Sequence, residues 1–274
     1  MKGKNILIVI LIVIIIGLIG FICYDKGVFK KQNKGTNTEE ITKEEKGTKL
    51  DLDDKVVKDL ITTIRTFEEI TYSNEKITNE TMTSENKIAY AIEEEVIQKK
   101  NIETSKTPSS TMDDAYMSFV DWGVIKDRIK LMFGKNTRFE LVSRLSLAIP
   151  GVGCYDVQYD YCTEENEDKC SFALDPFGCD AGWRFDKYDV RNTKATKYSD
   201  KIELERQVLH IQCNPETNEC DLTSPFNEEK KIATLKGNIN DIDPDAYFSK
   251  ADTIKYIFKF EDNHYYFESS ELVK

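Results

Sequence analysis

The sequence has few of the residues that build metal sites and dithiol redox centres, and those it has are wrongly spaced. There are only two histidines, His210 and His264, and no two of the seven cysteines stand in a C-x-x-C spacing. Structural zinc sites and dithiol redox centres depend on such spacings. Each histidine lies in a predicted strand without a serine or cysteine partner, so we interpret both as strand residues. We therefore predict no metal site, no cofactor and no catalytic residue.

Arginine, proline and glycine are also scarce. Seven arginines stand against 31 lysines, with 6 prolines and 13 glycines. This bias is typical of a protein from an AT-rich bacterial genome. The net charge is −11, and an acidic protein repels nucleic acid. We expect no nucleic-acid partner.

The longest stretch without charge is Ile6–Tyr24, which follows Lys2 and Lys4. As a helix these residues would extend roughly 28 Å, close to the hydrocarbon thickness of a bilayer. A cleaved signal peptide has a shorter apolar core and small residues at its cleavage site, whereas bulky residues stand at the end of this stretch. Residues 1–24 are predicted to form an uncleaved signal-anchor transmembrane helix.

The lysines beside this helix do not favour the orientation that we expect. Lys2 and Lys4 precede it, but four lysines follow it within ten residues, and the more basic flank usually stays in the cytoplasm. Six of the seven cysteines lie far beyond the helix, and disulfides persist in oxidising compartments. We expect a single-pass cell-membrane protein with a cytoplasmic N-terminus and an extracytoplasmic C-terminal domain.

Residues 25–50 mix both charges with Gly, Asn and Thr, which is typical of a flexible linker. Residues 51–274 are predicted to form an extracytoplasmic domain, helical over 51–134 and mostly strands over 135–274. Helices followed by strands indicate an α+β fold, in which about three helices pack on an antiparallel, disulfide-stapled β-sheet.

Apolar residues at three- and four-residue spacing predict three helices in this domain. They are Asp51–Ile70, Ser84–Lys100 and a third helix that Asp121 caps and that runs through Phe133. Gly134 stands where the third helix should end. Asn101–Ser110, which contains a proline, is predicted to be a loop.

From Thr137 the hydrophobic period changes to two, which is typical of strands. Strands are predicted at 144–149, 153–162 and 201–213, with a hairpin over 254–267 that turns at Glu261–Asn263. Inward-facing positions change parity within 201–213, and a bulge near Arg206 would reconcile them.

This layout resembles one kind of bacterial protein. A lysine pair precedes an Ile/Val-rich anchor that ends in Tyr24-Asp25-Lys26-Gly27, and a Lys/Glu/Thr-rich linker leads to a cysteine-bearing ectodomain that closes on a Tyr/Phe-rich hairpin. The arrangement resembles the uncharacterised single-pass envelope proteins of low-GC Gram-positive bacteria. Those proteins have no assigned activity, so the resemblance implies a location and no functional residues.

Strand register narrows the fifteen pairings that six ectodomain cysteines allow. Cys213 and Cys220 flank a turn-like segment, and Cys162 and Cys170 flank an acidic loop. If Cys162 faces Cys170 across an antiparallel pair, one bulge at Gly178 also brings Cys154 opposite Cys179. The predicted disulfides are Cys154–Cys179, Cys162–Cys170 and Cys213–Cys220.

Two segments, Ser73–Lys76 and Ser84–Lys87, fit the S-x-x-K motif of penicillin-recognising enzymes. In that chemistry the lysine deprotonates the serine one helical turn before it. The companion K-T-G is absent, so we interpret Ser84 as a helix N-cap. Glu93–Glu95, on the same helix, is interpreted as a solvated face.

Two further patterns have ordinary interpretations. The oxygen-rich cluster of Asn238, Asn240, Asp241, Asp243 and Asp245 lacks the glycine that a calcium loop needs at its sixth position, where Ala246 stands. We interpret it as a turn. The aromatic residues Tyr155, Tyr159, Tyr161 and Trp183 could stack on sugar rings, but such a stripe is more often sheet core.

The sequence favours a non-enzymatic, membrane-tethered binding or interaction module of the cell envelope. Its expected partners are the membrane, through the N-terminal helix, and an envelope protein or glycan. One alternative is a serine-type cell-wall enzyme that uses Ser73 or Ser84. Another is a structural subunit of a membrane complex.

Overall fold

The structure, a computed structural model, describes residues 46–73, 75–149, 153–160, 170–178 and 186–273, which belong to one unit of the chain, 45–274. The stretch interpreted as a membrane anchor, residues 1–24, lies outside them, as does most of the predicted linker. Among the helices within these ranges, none is long and apolar enough to cross a membrane.

The described chain combines three α-helices and two 3-10 helices with thirteen strands. The helices are α1 (Lys55–Arg65), α2 (Ser84–Gln98) and α3 (Trp122–Phe133), with 3-10 helices at Glu69–Thr71 and Asp245–Lys250. The strands are β1 (Thr48–Leu50), β2 (Ile77–Thr78), β3 (Glu103–Pro108), β4 (Tyr116–Asp121), β5 (Arg144–Ile149), β6 (Gly153–Asp160), β7 (Ser171–Phe177), β8 (Asp186–Lys197), β9 (Lys201–Asn214), β10 (Glu219–Ser224), β11 (Asn227–Lys236), β12 (Asp252–Glu261) and β13 (His264–Val273).

The three α-helices confirm the helices expected from apolar periodicity; α1 and α2 are shorter than predicted, and α3 follows Asp121 as expected. Their apolar stripes are buried, as the spacing predicted; the buried members include Val57, Leu60, Ile64, Ile88, Ile92, Ile125, Ile129 and Met132. α3 ends at Gly134, whose φ of 88° suits glycine.

Two antiparallel sheets replace the single sheet that we expected. One has five strands in the order β3-β4-β7-β6-β5. The other has eight strands, with the path β1-β8-β9-β12-β13-β2 and with β10 joining β9 to β11. The α+β class and the antiparallel pairing are confirmed.

Several strands lie where the sequence showed no strand pattern. β1 pairs with β8 and occupies the last three residues of the predicted linker. β3 lies within the predicted loop at 101–110 and pairs with β4. The side chains of β3 are almost all exposed, so the alternation of buried and exposed residues that identifies a strand is missing there.

One hydrophobic cluster joins the helices to both sheets. Trp122 of α3 packs edge-on against Phe172 of β7, with ring centroids 5.6 Å apart. Phe67, just beyond α1, packs against Phe267 of β13 at 4.8 Å. A second, smaller cluster forms around β9, β10 and the 3-10 helix at Asp245–Lys250.

The central strand β9 explains the parity change that suggested a bulge near Arg206. β9 pairs with β12 without a register shift there, and the irregularity lies on β8, at Thr193. Val208 faces the main cluster, whereas Leu209 and Ile211 face the second cluster. The strand buries opposite faces along its length, so no bulge in β9 is needed.

Candidate functional site

A cleft of about 910 Å³ opens where the start of α2, the end of α3 and the β12–β13 hairpin meet. Its lining comes from residues of the 76–80 segment, from Lys87, from residues 133, 134 and 136–138, and from the hairpin. The segments that form it are distant in sequence, so only the tertiary fold creates it.

Gly134 lets the chain leave α3 close to the hairpin. Its φ is positive, and a Cβ there would stand 2.9 Å from the Tyr266 ring, closer than carbon atoms pack. The segment after Gly134 therefore passes beside Tyr266 and delivers Thr137 and Arg138 to Lys87.

Lys87 is the most unusual residue of the cleft, because its side chain is only 2% exposed. Its Nζ donates hydrogen bonds to Thr137 Oγ1 at 3.0 Å and to the Arg138 carbonyl at 2.8 Å. Both acceptors are neutral, and no described carboxylate lies within ion-pair distance. Burial lowers the pKa of the Lys87 ammonium, and the more distant Glu80 carboxylate partly opposes this effect.

A relay of hydrogen bonds holds the Lys87 acceptor in place. Thr137 Oγ1 donates to Asn79 Oδ1 at 2.7 Å, and Asn79 Nδ2 donates to the Phe133 carbonyl. Since the Thr137 hydroxyl donates to Asn79, its lone pairs are left to accept from Lys87. The floor of the cleft is thus ordered without a compensating negative charge.

Charges of both signs line the rest of the cleft. The acidic residues are Glu80, Glu261 and Glu268, and the other cationic residues are Lys76 and Arg138. Lys76 makes a loose ion pair with Glu271, at 3.6 Å. The Arg138 guanidinium has no ion-pair or hydrogen-bond partner in the part of the chain that the structure describes.

The S-x-x-K segments contribute their lysines to this cleft but not their serines. Ser84 Oγ accepts a hydrogen bond from the Glu140 amide at 2.8 Å, while Lys87 bonds to other residues. The N-cap of α2 is Thr83, whose Oγ1 accepts from the Asn86 amide at 3.2 Å. The interpretation of Ser84 as the N-cap is therefore wrong by one residue.

The three glutamates of α2 are not a solvated face, which corrects our interpretation. Glu93, Glu94 and Glu95 are 8%, 7% and 1% exposed. α2 packs against α3 and β5, and the fold encloses these carboxylates. Glu95 is paired: its Oε1 accepts from Arg128 Nε at 2.6 Å, and its Oε2 accepts from Asn101 at 2.9 Å.

Glu93 is enclosed without such a partner in the ranges that the structure describes. Burial raises the pKa of its carboxyl to about 7, with smaller contributions from the Glu94 and Glu69 carboxylates. A raised pKa is a feature of functional sites, but structural clusters produce it as well. Glu93 does not line the cleft.

Both histidines lie in strands, as predicted. His210 in β9 stacks on Tyr188 with centroids 4.8 Å apart, and its buried Nε2 has no hydrogen-bond partner within the described chain. The Asp186 carboxylate is 3.9 Å from that nitrogen. His264 begins β13 at the tip of the hairpin.

Side chains of the oxygen-rich cluster stabilise a turn and contact a residue outside the cluster. Asp243 Oδ1 accepts from the Asp245 amide at 3.0 Å, and the Asp245 carboxylate pairs with Arg191 at 2.6 Å. Within the described ranges, no group of three or more His, Cys, Asp or Glu side chains is arranged to hold a metal ion.

The disulfide Cys213–Cys220 is present, as predicted, and joins facing positions of β9 and β10. Cys154 and Cys170 are also disulfide-bonded. Cys162 and Cys179 lie outside the described residues, so the pairs Cys154–Cys179 and Cys162–Cys170 stay predictions. β6 and β7 are antiparallel, with Cys154 opposite Phe177.

The part of the tyrosine stripe within the described chain contributes to the core. Tyr159 packs against Trp122 and Phe172, and Tyr155 is partly buried against the main cluster. Tyr161 and Trp183 lie outside the described residues.

The sequence did not identify Asn79, Thr137 or Arg138 as cleft residues. Their roles come from contacts across fifty positions or more, and no local pattern records such a distance. The one available signal was Lys87 itself, which stands beside Ile88 on the apolar side of a predicted helix.

Comparisons with protein-family models, with curated proteins and with solved structures found no match.

Proposed function

We propose that this chain is a non-enzymatic binding module of the bacterial cell envelope, tethered to the membrane by residues 1–24 and exposed outside the cytoplasm. In this proposal the cleft around Lys87 contacts an envelope protein or glycan. In the same proposal, a flexible linker over the part of 25–50 that precedes β1 would let the domain reach partners near the membrane.

The ordered, charged floor of the cleft is the observation that carries the proposal. A buried lysine held by a three-residue relay is a pre-organised polar group inside a concavity, and binding sites combine these two features. The disulfides at Cys213–Cys220, Cys154 and Cys170 support an oxidising, extracytoplasmic location.

Site-specific photo-crosslinking in cells that express the full chain tests the binding role. We expect Asn136→p-benzoylphenylalanine, at the exposed rim of the cleft, to give an adduct with an envelope protein or glycan. The matched control places the same crosslinker at Lys236, which is exposed on β11. Equal labelling from both positions, or none from either, would contradict binding at the cleft.

The tethered topology has its own test. After mild reduction of whole cells, a membrane-impermeant thiol reagent should label the ectodomain cysteines. Labelling that requires lysis would show that the domain faces the cytoplasm.

The serine-enzyme alternative receives no support from the hydrogen bonds of Lys87, which do not include Ser84. A labelled β-lactam should give no covalent adduct with the full chain. An adduct that disappears in Ser84→Ala would restore this alternative and overturn the non-enzymatic proposal.

A further inference from the structure

We propose that the cleft binds a single compact anionic group, a carboxylate or a phosphate, between Lys87 and Arg138. This inference rests on the proposed binding function and names the chemistry that the cleft would recognise.

The first argument is the uncompensated charge of Lys87. An ammonium has three N–H donors, and the observed bonds use two of them, both to neutral oxygens. Burying a cation without an anionic partner is unfavourable. An anion that accepts the third hydrogen bond would relieve this unfavourable burial, so the free domain is poised to accept one.

The second argument is the fixed geometry of the floor. In the relay, Thr137 donates to Asn79 and Asn79 donates to the Phe133 carbonyl. Thr137 and Asn79 are neutral, so the relay positions Lys87 without neutralising its charge, and the lysine does not need to be ordered when a ligand arrives. Pre-organisation of this kind lowers the entropic cost of binding.

The third argument is Arg138, which lines the same cleft next in sequence to Thr137. Its guanidinium is uncommitted within the described chain, and a guanidinium can donate two parallel hydrogen bonds to a carboxylate or a phosphate. The Arg138 carbonyl accepts from Lys87, so the backbone of this residue is already fixed beside the ammonium.

The acidic residues of the cleft limit the size of the anion. Glu80, Glu261 and Glu268 line the same space, so an extended polyanion would meet like charges. A ligand with one anionic group and an otherwise neutral or cationic body avoids this repulsion. The cleft therefore favours a group such as a terminal carboxylate or a phosphate ester over an anionic polymer.

The test is an NMR titration of the full chain in detergent micelles, following the amides of Thr137 and Arg138. The probes are N-acetylglycine for the carboxylate and methyl phosphate for the phosphate, and N-acetylglycinamide is the neutral control at matched ionic strength. We expect saturable shifts with at least one anionic probe and none with the neutral probe. The tighter probe identifies the anion.

Variants then assign the binding to the two cations. Lys87→Met should weaken binding about ten-fold or more, and Arg138→Gln should weaken it several-fold. Lys135→Met is the control, because Lys135 is exposed and pairs with Asp262 outside the cleft. Arg138 is exposed, so Arg138→Gln should fold. This variant therefore tests the contribution of Arg138 to anion binding even if Lys87→Met does not fold.

Two results would overturn the inference: no saturable response to either anion, or binding that both variants leave unchanged. If crosslinking from position 136 persists in that case, the binding function stands and only the anion is wrong. If crosslinking also fails, the proposed function fails with it.

Discussion

Two ionisable side chains of α2, Lys87 in its first turn and Glu93 six positions later, are buried without an oppositely charged partner among the described residues. Burial lowers the pKa of Lys87 and raises the pKa of Glu93 to about 7. For Lys87 the sign is clear: the folded state gives up its proton more readily than the unfolded state. The free energy of unfolding should therefore rise as the pH increases from the lowered pKa toward the ordinary value of 10.5.

Replacement of Glu93 by glutamine should stabilise the protein above neutral pH. Between the ordinary pKa of 4.5 and about 7, the folded state holds a proton that the unfolded state has lost, so stability falls as the pH rises. Above this range the folded protein retains a buried carboxylate. Glu93→Gln should raise the free energy of unfolding at pH 8 by about 2–3 kcal/mol and should flatten the pH dependence from 5 to 7.

Urea unfolding of the full chain in micelles at a series of pH values measures this effect. Glu85→Gln is the matched control, because Glu85 is exposed on the same helix and should change stability by less than about 0.5 kcal/mol. A wild-type stability that is flat over pH 5–7 would contradict the raised pKa.

At the scale of single residues, the sequence predicted the buried apolar positions of α2 but not its buried charged side chains. The positions of Ile88 and Ile92 predicted the buried stripe of α2 correctly. Glu93–Glu95 was assigned to solvent, because charged residues rarely lie inside without partners. Arg128, which pairs with Glu95, is 33 positions away, and helical periodicity carries no information about such a partner.

Helices α2 and α3 are joined by the buried pair of Glu95 and Arg128, whose side chains are 1% and 16% exposed. Removing one partner leaves an uncompensated charge. We expect Arg128→Met to lower the free energy of unfolding by about 3 kcal/mol. The double variant Glu95→Met/Arg128→Met should recover most of that loss, because no lone charge remains.

A double-mutant cycle in urea measures the coupling between these residues. The cycle compares Glu95→Met, Arg128→Met and the double variant. If the stability lost in the double variant equals the sum of the losses in the two single variants, the side chains act independently and the ion pair does not join the helices.

The end of α3 offers a second prediction at the scale of elements. Gly134→Ala would place a Cβ 2.9 Å from the Tyr266 ring at a backbone φ of 88°. We expect a loss of stability of roughly 1–3 kcal/mol. It should also disturb the cleft, so the NMR signals of Thr137 and Arg138 should move.

Gly178→Ala is the control for this substitution. Gly178 is exposed, and a Cβ there would meet no atom within 4 Å. Thermal unfolding of both variants gives the comparison. Similar midpoints for Gly134→Ala and the wild type would show that the helix end tolerates a side chain.

At this scale the sequence predicted elements with a buried face and missed exposed ones. β5 alternates buried and exposed positions along Arg144–Ile149, and its strand was predicted. β3 has no such alternation, since its ETSKTP segment is almost entirely exposed. Its strand forms through pairing with β4, which periodicity does not describe.

For the whole molecule, the disulfide Cys213–Cys220 secures the hairpin that carries the second cluster. Both half-cystines are buried in that cluster, with Cys220 at 0% exposure. Replacing both cysteines by alanine should lower the free energy of unfolding by about 2 kcal/mol, since the closed loop is short.

Urea unfolding combined with hydrogen exchange tests this effect. The slowest amides of β10 and of α3 should both exchange faster in the alanine pair, because we expect the two clusters to unfold together. An unchanged urea midpoint would mean that the hairpin holds without its crosslink.

The division into two sheets could not be predicted at this scale. Alternation in β6, β9 and β12 shows that one face of each strand is buried, but it does not state which strand lies beside which. The parity change in the 14-residue strand β9 gave no information on this division, because β9 lies wholly in the eight-stranded sheet and the two clusters lie on its opposite faces. We assigned the change to a bulge, whereas two separate clusters cause it.

Strand β9 has a consequence for how the protein unfolds. Ile202, Leu204 and Val208 bury their side chains in the main cluster. Leu209, Ile211 and Cys213 bury theirs in the second cluster on the opposite face. If either cluster opened, part of this strand would present its apolar face to water while the rest stayed packed. Partly unfolded forms should therefore be rare, and the two clusters should be gained and lost as one cooperative unit.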